Sequence, residues 1–446
     1  MDGTSPNTSR YDRWVWLIAG LVWLGCTVWL ATWTGPDQPG VLLSIFLVLA
    51  KSGPLALAWL MAAMGYGWWI RWAFFADCTE AGSLQVGTGV AILLFIGSSL
   101  GSLGILQWGG SVGAWAVLAI GWAGLVWQIA RNGFSRLPTA FAWMSLAAAP
   151  SLAVLVIAAC SAPGWLWSSE FGGYDALSYH LQLPKEWMAL GRIVPLNHNV
   201  YSYLPGTIEA AFYHLAVLRG NAIAAAYSSQ LLHASMAILC AAVIARHAVT
   251  KLDNAAGVIA GAMLLSTPWV IVTATLAYNE MAVCLMLACG LVAAGNMSLA
   301  PSIRGALVGL FAATACAAKL SSVGMVAAPL GVALLWQLPP RKWLHACVTG
   351  AIVGIICLSP WLIRNSMACG NPVFPFATGL FGLGHWSAEQ AGTWSRGHHS
   401  SLNLGGRLGE LWNQFFRYGW ATNPNAKEPW DPLWSIVQWF SIGGAA

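Results

Sequence analysis

Carboxylates beside cations are the residues of this chain with chemistry to offer. Glu170, Asp175, His180, Lys185, Glu186 and Arg192 lie in the polar stretch 167–205, and Glu209 follows just beyond it. The same types return singly at the ends of later hydrophobic runs, as Glu280, Lys319 and Arg364. In such a set a carboxylate can take the proton of an attacking hydroxyl, and cations can stabilise a departing phosphate. A set placed at a lipid boundary suits a substrate with a polyprenyl tail, a phosphate and a sugar. The tail stays in lipid while the head reaches the polar stretch.

Hydrophobic runs must carry these side chains to one place. Of the 446 residues 58% are hydrophobic and 8% charged, against roughly a quarter charged in soluble domains. Runs of about 20 residues, without the short alternating segments of a membrane barrel, make this an all-α polytopic membrane protein. Five runs precede the polar stretch, at 14–33, 41–70, 86–106, 112–130 and 139–162. The first reads as a retained span. The second is overlong and holds Lys51 beside Gly53 and Pro54, which predicts a kink or break there. Lys51 reads as a snorkelling lysine at that break.

Arg10, Arg13, Arg71, Arg131 and Arg136 all fall on one side of these runs. The positive-inside rule makes that side cytoplasmic, so the loop 163–221 is outer, which is periplasmic for a bacterial inner-membrane protein. The run 206–218, with Glu209 and His214, is only about 20 Å long as a helix. It reads as a juxtamembrane helix on the outer surface, because counting it as a span would place Arg246 and Lys251 outside. Further spans at 222–245, 255–273, 281–297, 305–318, 323–337 and 345–363 bring the total to about eleven, with Arg304, Arg341 and Lys342 inside. A second outer region follows Arg364, and 432–446 could begin another span. The chain divides into an N-terminal four-span block 1–137, a bundle 138–365 and an outer segment 366–446.

Five motifs, FGGYDALSYHLQLPKEW, NVYSYLPGTIEAAFYHL, STPWVIVTATLAYNE, AACAAKLSS and PWLIRNSMACGNPVFPF, stand in that order between residues 138 and 376. Together they resemble the membrane glycosyltransferases of the GT-C fold, nearest the protein-mannosyltransferase, aminoarabinose-transferase and RgtA/B/C/D-like types. The resemblance implies a GT-C-like bundle with a large outer loop, and an inverting transfer of sugar from a polyprenyl-phosphate donor to a lipid, glycan or protein acceptor. It implies that Asp175 is the catalytic base and that Glu280 is a second catalytic acid residue. It associates Lys319 with the carrier phosphate. Arg364, His180 and Glu209 join Lys319 as substrate-binding candidates.

Plainer readings stand beside these. Asp175 sits where a helix could start and could cap it. Glu280 could be a helix N-terminal acid favoured by the macrodipole. Lys319 and Arg364 could be interfacial anchors, and His180 and His214 packed histidines. His385, His398 and His399 match no metal-ligand spacing, and no metal or other cofactor is expected, although some GT-C enzymes use a divalent cation. No GxGxxG or Walker motif appears and no basic run suggests nucleic acid. The ten cysteines read as small buried hydrophobes. Two other functions compete: a non-catalytic membrane subunit that keeps the bundle, with the N-terminal block binding a partner, and a transporter or flippase, which should show broken helices with charges at mid-membrane.

Overall fold

The computed structural model describes residues 6–33, 41–133, 138–163, 167, 172–398 and 401–413, with side chains from residue 14 onward save that of Trp33. Arg136, Glu170, His399, the segment 432–446 and the side chains of Arg10 and Arg13 therefore lie outside the described residues. Two compact units are present, Met1–Gly384 and His385–Ala446. Among the described residues every regular element is a helix, and extended backbone pairs only in one isolated bridge between Leu196 and Asn199.

The first unit runs through α1 (Pro6–Trp33), α2 (Val41–Phe74), α3 (Ala81–Ser102), α4 (Val112–Asn132), α5 (Thr139–Ala147) and α6 (Ala149–Ala159) to the polar loop. The loop carries α7 (Gln182–Leu190). Then come α8 (Thr207–Arg219), α9 (Ala222–Lys251), α10 (Asn254–Ser266), α11 (Pro268–Thr275), α12 (Glu280–Gly295), α13 (Pro301–Ala318), α14 (Ala328–Trp336), α15 (Trp343–Cys369) and the single turn α16 (Thr378–Phe381). Among the described residues seven helices are long and apolar enough to cross a membrane, or up to nine crossings if each of two bent pairs is one span. Multiple long apolar helices of this kind make the chain an integral membrane protein.

The bent pairs are α5 with α6, at 74°, and α10 with α11, at 60°. Each second helix carries a proline in its first turn, Pro150 or Pro268, whose missing N–H cannot continue the preceding helix. The runs read as spans at 281–297 and 323–337 fold as shorter apolar helices, Glu280–Gly295 and Val323–Trp336. The first has 16 residues, roughly 24 Å, which falls short of the hydrocarbon thickness of about 30 Å. About eleven runs by hydropathy thus resolve into seven long helices, two bent pairs and two short helices.

Two expectations are corrected. The helix α2 is continuous over 34 residues, so of the kink or break expected near Lys51 the break does not occur. Carbonyls in the turn before Pro54 are taken up from outside: Arg219 Nη1 donates to Lys51 O at 3.2 Å and Ser228 Oγ to Ser52 O at 3.0 Å. Nor does α8 lie on a surface, since every residue from Thr207 to Leu218 is buried, against α3, α4, α7, α9 and α13. Its sequence is mostly apolar, and its buried polar residues Glu209 and His214 bond to His180 and to Ala114 O, so the helix is stable where its faces are covered.

Small residues set the closest helix contacts. A Cβ placed on Gly305 of α13 would meet Ala346 O of α15 at 2.1 Å, and one on Gly309 would meet Gly350 O at 2.2 Å. Two glycines four residues apart on α13 thus face two small residues four apart on α15, the arrangement by which membrane helices bring their backbones together. A similar seam joins α2 to α4, where a Cβ on Gly65 would overlap Gly121 O at 1.7 Å. We expect Gly309→Val to force α13 and α15 apart at a cost of about 1–3 kcal/mol. The check is a fall in apparent melting temperature in detergent, with Gly354→Ala, whose Cβ would meet nothing closer than 3.7 Å, unchanged.

Candidate functional site

Asp175 lies in a short helical turn that runs into a wide turn at Ala176–His180. Its carboxylate makes no capping bond and is exposed. One turn later on the same face, Tyr179 donates its hydroxyl to Asp175 Oδ2 at 3.2 Å. The Tyr179 ring stacks on Tyr201, with centroids 4.4 Å apart and planes 15° from parallel. Burial, then the charges of Asp175, Glu209 and Glu280, push the Tyr179 phenol well above its ordinary range. The phenol therefore keeps its proton and serves as a donor. Three carboxylates from three parts of the chain act on this one hydroxyl.

Behind the tyrosine pair stands a buried polar pair. His180 Nδ1 lies 2.5 Å from Glu209 Oε1, and the two side chains are 2% and 4% exposed. The other carboxylate oxygen, Glu209 Oε2, is buried without a hydrogen-bond partner among the described residues. Room for it comes from Gly206, where a Cβ would stand 3.2 Å from that oxygen. A carboxylate oxygen in this position accepts a hydrogen bond from whatever hydroxyl enters beside it.

Glu280 begins α12, and its carboxylate pairs with Lys319, at the C-terminal boundary of α13. Side-chain exposures of 45% for Lys319 and 28% for Glu280 leave the pair open on one side. Its neighbour Asn279 donates Nδ2 to Ala318 O at 2.9 Å, so two consecutive residues tie the start of α12 to the end of α13. His233 of α9 fixes the same corner: Nδ1 lies 2.8 Å from Leu276 O, and Nε2 accepts the Met281 N–H at 3.0 Å. These partners assign the neutral imidazole with its proton on Nδ1.

A cavity of about 220 Å³ joins these groups, lined by Tyr179, Tyr201, Glu209, Asn279, Lys319 and Phe376 among others. Glu280 borders it through Lys319, and Asp175 through the Tyr179 hydroxyl. His180 stands behind Glu209, and Arg364 is not in the wall. Arg364 Nη2 donates to Leu204 O at 3.1 Å, while Trp361 Nε1 and Asn365 Nδ2 both donate to Tyr203 O at 2.7 Å. One turn of α15 thus clamps the exit of the loop. Asn371, fully buried, donates to Phe376 O at 2.9 Å and Gly382 O at 3.2 Å and so sets the segment that brings Phe376 to the cavity.

The sequence candidates therefore fall into three groups: Glu209 and Lys319 in the wall, Asp175 and Glu280 one bond from it, His180 and Arg364 as supports. Lys185, Glu186 and Arg192 do not line the cavity, and Glu186 bonds instead to Gln182 and His198. Sequence reasoning passed over Tyr179, Tyr201, Asn279, His233 and Asn371. Tyr179 carried a usable signal, its four-residue spacing from Asp175 within a helical turn. Among the described residues no group of three or more His, Cys, Asp or Glu is arranged to hold a metal ion. In the second unit, His398 Nδ1 lies 2.9 Å from Trp394 O, with the two rings stacked.

No curated protein and no solved structure matches the chain. A family model described as a domain of unknown function (DUF8201) matches residues 221–392, from the cap of α9 through Glu280, Lys319 and Arg364, with Asp175, His180 and Glu209 outside the matched segment.

Proposed function

We propose that the protein is a membrane glycosyltransferase of the GT-C type, which moves a sugar from a polyprenyl-phosphate donor to a hydroxyl acceptor on the outer, periplasmic side. The observation that carries this reading is the cavity that gathers an uncompensated carboxylate oxygen of Glu209, the cation of Lys319 and the rings of Tyr179 and Tyr201. Aromatic faces with a few polar groups between them suit a sugar ring, and a cation at one end suits a phosphate.

In this reading the acceptor oxygen bonds to the anomeric carbon while the carbon–oxygen bond to the polyprenyl phosphate breaks. The bonding pair leaves with the phosphate, and the acceptor proton passes to Asp175. Tyr179 holds that carboxylate in place through its hydroxyl. Lys319 turns from Glu280 to the departing phosphate, so Glu280 stores the cation between turnovers. Inversion at the anomeric carbon follows from a single displacement.

Transfer of labelled sugar from a polyprenyl-phosphate donor pool, in membranes that contain the protein, tests the proposal. Tyr179→Phe keeps the ring stack but releases Asp175, and we expect it to lower the rate about tenfold without changing protein yield. Absence of transfer to lipid, glycan and protein fractions alike, by a folded and inserted protein, would leave the bundle as a non-catalytic membrane subunit.

A further inference from the structure

A second cavity lies at the opposite end of the bundle. The outer loop meets the C-terminal end of α3, where Ile193 N donates to Gly101 O at 3.0 Å. With 22 residues in α3, its first turn lies roughly 33 Å away. There a cavity of about 600 Å³ opens among α2, α3, α5 and α9. Arg71, in the last turn of α2, and Arg246, near the end of α9, both line it beside the first turn of α3.

One of the two cations is held in place, and the other, Arg246, is exposed. Arg71 Nη1 donates to Gln85 Oε1 at 3.1 Å, and Gln85 is itself held by Met64 O at 3.0 Å and Gln128 Oε1 at 2.7 Å. The guanidinium lies 5.6 Å from the Trp68 ring, and its Nε is buried without a hydrogen-bond partner among the described residues. Among those residues neither Arg71 nor Arg246 forms a salt bridge, although Asp77 is within electrostatic reach of Arg71. The carboxylate in the wall, Glu80, is 2% exposed and taken by His247 at 2.8 Å. The intervening turn is fixed from another part of the chain, since Thr79 bonds through its N–H and hydroxyl to Ser298 and Asn296.

Apart from Ser83 and Cys78 the remaining wall is apolar, with Phe141, Leu239 and Val86. The positive end of a helix dipole favours an anion, and two guanidinium groups favour a phosphate in particular. An apolar wall continuous with the membrane helices gives the chain attached to that phosphate a place to lie. Basic pockets between helices at the cytoplasmic end have the chemistry of phospholipid headgroup sites. We propose that this cavity binds the phosphodiester headgroup of an anionic membrane lipid. The inference is independent of the reaction at the other end.

The test is retention of phosphatidylglycerol by the purified full chain, titrated after delipidation and read by native mass spectrometry, with phosphatidylcholine and inorganic phosphate as the other arms. Phosphatidylglycerol is expected to outlast phosphatidylcholine. Arg246→Gln and Arg71→Gln are each expected to weaken retention about fivefold. Arg131→Gln, which removes a cation from the end of α4 outside the cavity, is expected to match the parent. Arg246 is exposed, so its variant folds and decides the matter alone should Arg71→Gln fail to fold. Equal retention by all proteins overturns the site. Displacement of the lipid by equimolar inorganic phosphate overturns the lipid as its source.

Discussion

Sugar transfer by the Asp175→Asn protein is expected to fall about 10²- to 10⁴-fold, the range by which a positioned general base accelerates a reaction. The substitution keeps the shape of the side chain and an oxygen that can accept the Tyr179 hydroxyl, so the loop geometry survives. What disappears is the ability to take a proton. Because Asp175 is exposed and caps no helix, the apparent melting temperature should not move, and a rate loss without a stability loss separates chemistry from folding. A variant that transfers sugar at the parental rate would make Asp175 a loop residue and shift the role of base to Glu209.

The largest effect on stability is expected at the buried pair. Removing Glu209 by Glu209→Ala leaves His180 Nδ1 without its 2.5 Å partner in a site 2% exposed. A buried polar group stripped of its bond costs about 1–3 kcal/mol, and the lost side chain leaves a cavity besides. We expect about 3 kcal/mol in total. Replacing both members with apolar residues, His180→Phe with Glu209→Leu, removes the unmatched group and should recover much of the loss. A thermal series of Glu209→Leu, His180→Phe and the double variant in one detergent reads this directly. Additive losses would mean that the two side chains do not depend on each other. Glu209→Gln should fold well and weaken only sugar binding, because an amide keeps a bond to His180 but offers the cavity a different polar group.

The membrane helices were legible because hydropathy over some 20 residues is a local property. The bends were partly legible: Pro150 and Pro268 are visible, but Pro54 looks the same and leaves α2 continuous, with Arg219 and Ser228 from distant segments bonded to the carbonyls of Lys51 and Ser52 beside it. Length misled at α8, where a short apolar run is buried by five other helices and not by the membrane surface. At the site, the Asp175–Tyr179 bond spans four residues and could be read from spacing. The Glu280–Lys319 pair spans 39 and the His180–Glu209 pair 29. Such pairings depend on which helix ends meet. Composition does not encode that.

The seam of glycines between α13 and α15 has a consequence for how the chain is made. These helices touch backbone to backbone, yet α14 stands between them in sequence. During synthesis α13 is complete at Ala318, and its partner only at Cys369. At about 5–20 residues per second the wait is roughly 3–10 s. Through that interval α13 presents a bare strip of main chain to lipid, tolerable only because its amides are already bonded within the helix. The corner that holds Lys319 does not share the wait, because Asn279, Glu280 and His233, which tie it, all precede α14 in the chain.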